Sequence, residues 1–352
     1  MSWFTLDDED DAPYGEYADH EVRQRPNPKG NRPRTKRRPE HAEAVIGMVT
    51  GVDRGRYTAL IAAGADPADP AERSLLAARA RELRSTPIVI GDLVQLVGDT
   101  SGAEGSLARI VGIEDRRTVL RRSADDSDRL ERVMVANADQ MLIVVAAANP
   151  EPRVRLVDRY LVAAYDAGIR PLLCITKVDL ADPAPFLAHF AALEVPVFTS
   201  APGAWPLDSI RTALAGRTTV FVGHSGVGKS TLINALVPEA ERATGHVNEV
   251  TGRGRHTSSS SVALRVDTPG SPAGPYGWVI DTPGVRSFGL GHVTSDGILS
   301  GFTDLAAIIE GCPRGCTHTD EAPDCELDAA IADGRLDATG AARVESLRRL
   351  LK

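Results

Sequence analysis

"TTVFVGHSGVGKSTLINALV" occupies residues 218–237. An apolar run ends at Val222, a glycine-rich loop follows, and Leu232, Ile233 and Leu236 then recur at helical spacing. The loop, Gly223 to Thr231, reads "GHSGVGKST" and fits the pattern G-x-x-x-x-G-K-[ST]. Glycines let backbone N–H groups turn inward around phosphate oxygens, and the start of a helix adds partial positive charge. Gly223, His224, Ser225, Gly226, Val227 and Gly228 would supply that cradle. Lys229 would reach the β- and γ-phosphates, the Ser230 hydroxyl would hold Mg²⁺, and Thr231 completes the motif. A strand, phosphate loop and helix in this order predict an α/β fold with a parallel sheet.

The flanks extend the pattern. "QMLIVVAAA" at 140–148, "PLLCITKVD" at 171–179 and "VPVFTSA" at 195–201 read as buried strands. Between them "RLVDRYLVAAYDAG" is amphipathic and ends on Gly168, and "APFLAHFAAL" at 184–193 reads as a helix. "TKVD", Thr176 to Asp179, follows its strand as the guanine motif N-K-x-D does. Asp179 would accept from guanine N1–H and the 2-amino group, a donor pair that adenine lacks. The stem of Lys177 would lie along the base. Ser200 and Ala201 would bring backbone to guanine O6. In a Ras-like GTPase the phosphate loop comes first and the guanine motif last. Here the order is inverted, which implies a circular permutation.

The tetrapeptide DTPG occurs twice, at 267–270 and 281–284. A D-x-x-G after a strand holds magnesium and senses the γ-phosphate. The second copy follows the apolar run "YGWVI". The first enters "TPGSPAGPYG", which is turn chemistry. Asp281 is therefore expected on the magnesium side with Gly284 as the phosphate sensor, and Asp267 in a hairpin turn. Switch one is expected in "TGRGRHTSSS", residues 251–260, with Thr257 closing over Mg²⁺. Val285 stands where a glutamine would orient the attacking water, so His256 is the candidate catalytic group beside Lys229. A loop histidine is otherwise simply solvated.

Outside this segment the chain changes character. Residues 1–21 hold eight acidic residues, and residues 22–39 hold eight Lys or Arg with four prolines. Neither has hydrophobic periodicity, which predicts a disordered acidic-then-basic tail over 1–42. Its basic half is an RNA-contacting arm or a solvated segment. Residues 43–125 carry short β-branched runs that suggest a small barrel of the OB type. "AERSLLAARARELRS" at 71–85 opposes this by helix propensity. Arg109, Arg116, Arg117, Arg121 and Arg122 give a basic edge, or ordinary surface charge.

Near the C-terminus "CPRGCTHTDEAPDC" sets Cys312, Cys316, His318 and Cys325 as C-x₃-C-x-H-x₆-C. Three thiolates and an imidazole suit a closed, structural Zn²⁺. Cys174 reads as core. Residues 341–352 should form a basic helix. The chain has 352 residues, a net charge of −8 and 42% hydrophobic residues. No apolar run approaches the roughly 20 residues that span a bilayer. No secretory signal is visible, so a cytoplasmic protein is expected. It is also expected to be a monomer.

Taken together, "IGDLVQLV", "LVDRYL", "GHSGVGKSTLINAL", "GRGRHTS" and "DTPGVRSFGL" resemble the small-subunit-dependent GTPase A (RsgA) family over residues 43–350. The resemblance implies a multidomain α/β protein: an OB-fold barrel at 43–125, a circularly permuted GTPase at 126–300 and a zinc-binding helical domain at 301–352. It implies GTP and GDP as ligands and hydrolysis stimulated by the small ribosomal subunit and its rRNA, during late maturation of that subunit. It also implies that "LLAARARELR" is a strand and that His256 aids catalysis. Thr176 for Asn, "HTSS" for His-Thr-Thr and the zinc-ligand spacing depart from the family's pattern. Two other readings remain at this stage. One is an RNA-binding module whose nucleotide site is mainly structural; the other is a permuted GTPase acting on the large subunit.

Overall fold

The computed structural model describes residues 41, 43–123, 131–238, 262–271, 274–282 and 295–351. The tail, His256, Thr257, Gly284 and Val285 lie outside the described residues. Residues 41–352 belong to one compact unit.

Five strands come first: β1 (Val45–Asp53), β2 (Arg56–Ile61), β3 (Arg73–Arg79), β4 (Leu93–Gly98) and β5 (Ala108–Ile113). They run in the order β1-β2-β3-β5-β4, and β4 pairs back onto β1, so the barrel closes. The segment with helix propensity is β3, followed by a short 3₁₀ turn at Arg81–Leu83. Alternation overrides propensity here. Leu75 and Ala77 enter the barrel core while Ser74 and Leu76 face out.

The run 87–98 is a strand only from Leu93. Before it the chain turns on Asp92. This fully buried carboxylate accepts from the Val89 N–H at 2.8 Å and from Arg116 Nε and Nη2 at 2.7 and 2.9 Å. Arg117 pairs with Asp139 at 3.0 Å. One member of the expected basic edge, Arg116, is thus committed inside the protein, whereas Arg117 makes its pair at the surface and Arg109 is exposed. The stretch "LARIVGIEDRRTVLRR", residues 107–122 and one of the short β-branched runs, divides between β5 and β6 (Val119–Ser123), which pairs with β7 (Glu131–Ala136) as a separate hairpin. The boundary expected at 125–126 falls between those paired strands.

The second sheet is built from β8 (Gln140–Ala146), β9 (Arg170–Thr176), β10 (Val197–Thr199), β11 (Thr218–Val222), β12 (Val262–Asp267) and β13 (Tyr276–Asp281). Their order is β10-β9-β8-β11-β13-β12. All neighbours are parallel except the β12–β13 hairpin. Helix α1 (Val154–Asp166) ends before Gly168, as its sequence predicts. The stretch 184–193 is one turn of helix, α2 (Ala184–Leu187), running into a 3₁₀ turn. Met141, Ile143 and Val145 of β8 pack on the α1 face. Leu142 and Val144 pack with α3 (Leu207–Leu214) and α4 (Lys229–Leu236) on the other. A fully buried strand sandwiched this way reads as one continuous apolar run. β12 also pairs with β1 at Val262 and Gly51, joining the sheet to the barrel.

Four short helices complete the chain: α5 (Ser295–Leu299), α6 (Thr303–Ile309), α7 (Glu326–Ala332) and α8 (Ala338–Leu351). Phe302, Leu305, Leu327, Val344, Leu347 and Leu350 enter the same apolar cluster as α1. The basic residues of α8 turn inward. Arg343 donates to Ala192 O at 2.6 Å and Arg348 to His318 O at 3.2 Å. Arg349 donates to both oxygens of Asp158 at 3.1 and 3.2 Å. Burial raises the Asp158 pKa and the Arg349 charge opposes that rise. The helix expected to be basic clamps the C-terminal segment onto α1.

Candidate functional site

Strand order sets the site. The chain lays β8, β9 and β10 outward in one direction, then returns to place β11 on the other side of β8. In open parallel sheets the crevice at such a reversal, outside the carboxyl ends of the strands, is where ligands bind. The phosphate loop leaves β11 there. Gly223 lies against β8: a β-carbon on it would stand 2.5 Å from the Val144 carbonyl oxygen. Gly228 has φ +95° at the mouth of α4, a conformation that disfavours other residues. Ser230 and Thr231 are exposed in the first turn of α4.

The guanine motif emerges two strands away, at the end of β9. The Thr176 hydroxyl is buried and donates to Val227 O at 2.5 Å. Lys177 Nζ donates to Gly226 O at 2.8 Å and to Asn149 O. Both residues thereby tie the β9 loop to the phosphate loop. Asp179 is exposed at the loop's tip. Ser200 follows β10, and its N–H donates to Ile175 O at 2.8 Å. Val178 N–H donates in turn to Ser200 O at 3.2 Å, so Ala201 and Asp179 flank one cleft. The Ser200 hydroxyl is buried with no hydrogen-bond partner among the described residues.

Strand direction separates the two DTPG copies. β13 runs parallel to β11, with Asp281 opposite Phe221, so Asp281 emerges beside the phosphate loop. There it pairs with Lys229, and the buried Thr282 hydroxyl donates to Phe221 O at 2.8 Å. β12 runs the other way. Asp267 lies opposite Tyr276, five residues down the strand, about 17 Å from Asp281. It is exposed and 3.7 Å from Arg265. Asp281 and the Ser230 hydroxyl are hard oxygen donors of the kind Mg²⁺ takes.

One contributor was not legible beforehand. Trp205, in "SAPGAWP", brings its ring to 3.7 Å from where a β-carbon on Gly228 would stand. Its signal was an aromatic four residues after Ala201, in a chain with only 5% aromatics.

The second centre is separate. The ligand atoms of Cys312, Cys316, His318 and Cys325 lie within 4.8 Å of one another. Cys312 Sγ is 3.5 Å from His318 Nδ1 and 4.0 Å from Cys325 Sγ, and Cys325 Sγ is 3.9 Å from the same nitrogen. A tetrahedral zinc with bonds of about 2.3 Å sets its ligands about 3.8 Å apart, so the set fits. The Glu326 N–H points at Cys312 Sγ at 3.4 Å, a contact that favours its thiolate, and Cys325 stands at the N-cap of α7. Without a cation, burial pushes the Cys312 thiol up to about 11 and lowers the His318 pKa. Cys174 lies buried in β9 among apolar neighbours, far from this cluster in the fold.

The comparisons with known proteins bear on the family and the fold. The family model described as RsgA GTPase matches residues 113–291, just over half of the chain. A small ribosomal subunit biogenesis GTPase RsgA from Pseudomonas fluorescens (strain SBW25) is 40% identical over 257 residues, 71% of each chain. Its counterpart from Pseudomonas aeruginosa (strain LESB58) is 38% identical over the same share. Among solved structures, YjeQ from Thermotoga maritima superposes with a TM-score of 0.57 at 21% identity, over 88% of this chain and 99% of that one. YloQ, described as a circularly permuted GTPase, gives 0.57 at 23% identity, over 89% and 96%. The two structures bear out the permuted fold with its leading barrel. On the family match and the identity to its relatives, this chain belongs to the RsgA GTPase family.

Proposed function

We propose that this chain is a GTP hydrolase that binds the small ribosomal subunit and its rRNA and turns over GTP during the subunit's biogenesis. The observation that carries the reading is convergence. Asp179, Ser200 and Ala201, the phosphate loop with Lys229 and Ser230, and Asp281 come from four strand ends and meet on one edge of the sheet. A nucleotide site kept only for stability would not need a magnesium-side carboxylate beside the phosphate-loop lysine. The subunit is inferred from the relatives, which are named for biogenesis of the small one. No helix among the described residues is long and apolar enough to cross a membrane. The relatives' part in ribosomal subunit biogenesis puts the proposed place of action in the cytoplasm, and the proposed acting form is a monomer.

These roles are read from the motifs, and for Asp179, Lys229, Ser230 and Asp281 the strand ends that carry them support the reading. Asp179 accepts from the guanine edge, Ala201 N–H faces O6, and residues 223–228 wrap the phosphates. Lys229 stabilises charge on the γ-phosphoryl group as it transfers. Ser230, Asp281 and Thr257 would hold Mg²⁺, which would supply charge neutralisation at the phosphates. Gly284 senses the γ-phosphate and His256 orients the attacking water. The four residues Cys312, Cys316, His318 and Cys325 hold one Zn²⁺, which supplies structure rather than chemistry.

The base assignment has a direct test. Asp179→Asn replaces one acceptor by a donor, which suits the 2-keto group of xanthine. The substituted protein should turn over XTP in preference to GTP, a reversal on the order of a hundredfold or more. Unchanged discrimination between GTP and XTP would remove Asp179 from the base site.

A further inference from the structure

Thr176 stands where the family's motif has asparagine, and its surroundings fix what its hydroxyl can do. The residue is only 2% exposed. Its Oγ lies 2.5 Å from Val227 O and 3.4 Å from Val145 O. Both neighbours are carbonyls, which only accept. A threonine hydroxyl has one hydrogen to donate, so that hydrogen is committed to the protein. The methyl carbon and the hydroxyl oxygen both lie 3.7 Å from where a β-carbon on Gly228 would stand. Lys177 directs its ammonium at the carbonyls of Gly226 and Asn149. The Thr176 hydrogen and two of the three Lys177 ammonium hydrogens are therefore spent on the phosphate loop and its neighbour. Asp179 is the motif's remaining polar side chain at the base, and a carboxylate can only accept.

Guanine offers donors at N1 and the 2-amino group and acceptors at O6 and N7. Reading N7 requires a donor. We propose that this chain reads guanine through N1–H, the 2-amino group and O6 and makes no side-chain hydrogen bond to N7, the buried Ser200 hydroxyl included, while Thr176 is a positioning residue joining the base loop to the phosphate loop. The inference rests on the guanine reading above and narrows it. It makes the site tolerant of change at the five-membered ring: a nucleotide carrying C–H in place of N7 loses no hydrogen bond here. The tie also means that removing the Thr176 hydroxyl strands the Val227 carbonyl and loosens the two loops together, whatever the base.

Calorimetric titration of the full chain with GDP, 7-deaza-GDP and ADP in magnesium buffer tests this. GDP and 7-deaza-GDP should bind within about twofold of each other, and ADP far more weakly. Thr176→Val should weaken GDP and 7-deaza-GDP by one common factor, on the order of tenfold, and Thr176→Ser should restore both. A 7-deaza-GDP Kd more than about fivefold above that of GDP would overturn the inference, since N7 would then have a donor. So would a Thr176→Val variant weakened for GDP alone, which would put the hydroxyl on N7. Unchanged binding of both nucleotides by Thr176→Val would remove the positioning role. If ADP binds as well as GDP, the guanine reading itself falls and takes this inference with it. A GDP preference over ADP combined with a penalty for 7-deaza-GDP sinks the inference alone.

Discussion

Asp281→Ala should abolish magnesium-dependent GTP hydrolysis, a loss on the order of a thousandfold, while Asp267→Ala should leave the rate within about threefold. The two aspartates begin identical tetrapeptides, so local sequence chemistry cannot separate them. Strand direction does. A parallel neighbour of β11 delivers its last residue to the edge where the phosphate loop begins, and β13 is that neighbour. The antiparallel β12 delivers its last residue to the opposite edge. Asp281 pairs with Lys229, so its removal takes away a carboxylate placed to act on the metal and leaves the lysine uncompensated. Asp267 is exposed, and its neighbour Arg265 keeps both Glu72 at 2.8 Å and the face of Tyr276. Steady-state turnover with and without Mg²⁺ decides the matter. Loss of activity in Asp267→Ala with retention in Asp281→Ala would mean that hairpin and switch have been exchanged.

Removing zinc should release the C-terminal segment. The purified protein should carry about one Zn²⁺ per chain, and Cys316→Ser should lose it. Apparent binding free energies of structural zinc reach about 10–16 kcal/mol in small zinc peptides, and where the ligands assemble only on folding this is folding free energy. Regular structure does not hold residues 312–325 together: they form turns, no helix or strand lies between α6 and α7, and from α8 it is Arg348 that reaches them, at His318 O and Asp320. The effect should spread. Leu327 and Leu347 share their apolar cluster with Tyr160 and Leu161 of α1, so a loosened zinc loop exposes that face. A chelator should make the chain cleavable within residues 295–351 by a protease to which the metal-bound form is resistant. Cys174→Ala should keep its zinc, because that thiol is enclosed in β9 and burial pushes it up to about 12. A metal-free protein with a protease-resistant C-terminal segment would defeat the zinc assignment.

The sequence revealed motifs more readily than shapes. "GHSGVGKST" and "TKVD" were legible because backbone wrapping of phosphate and acceptance from guanine each demand few residue types at fixed spacing. The inverted order of the two motifs gave the permutation directly. β3 was less legible: Ala, Leu, Arg and Glu favour helix locally, and only closure of the barrel makes alternate burial of Leu75 and Ala77 the better arrangement. The run at 107–122 contains no punctuation strong enough to show that β5 and β6 enter different sheets. Arg116 and α8 teach the same lesson about charge. Composition counts arginines, but Asp92 and Asp158 are buried and distant in sequence, so the pairing that turns Arg116 and Arg349 inward is a tertiary property. Trp205 was missed because an isolated aromatic in a loop has no spacing to read.

Turnover of GTP by the full chain, measured alone, with purified small subunits and with purified large subunits, is the measurement that bears on the whole reading. Val285 offers no amide to orient water, and positioning supplies most of the catalysis in phosphoryl transfer. The chain alone should therefore be slow. Small subunits should raise the rate by a factor on the order of a hundred or more, and large subunits should leave it unchanged. His256→Ala should still bind GTP and the small subunit but should lose the stimulation. Equal stimulation by large subunits, or no response to small ones, would contradict the proposed function.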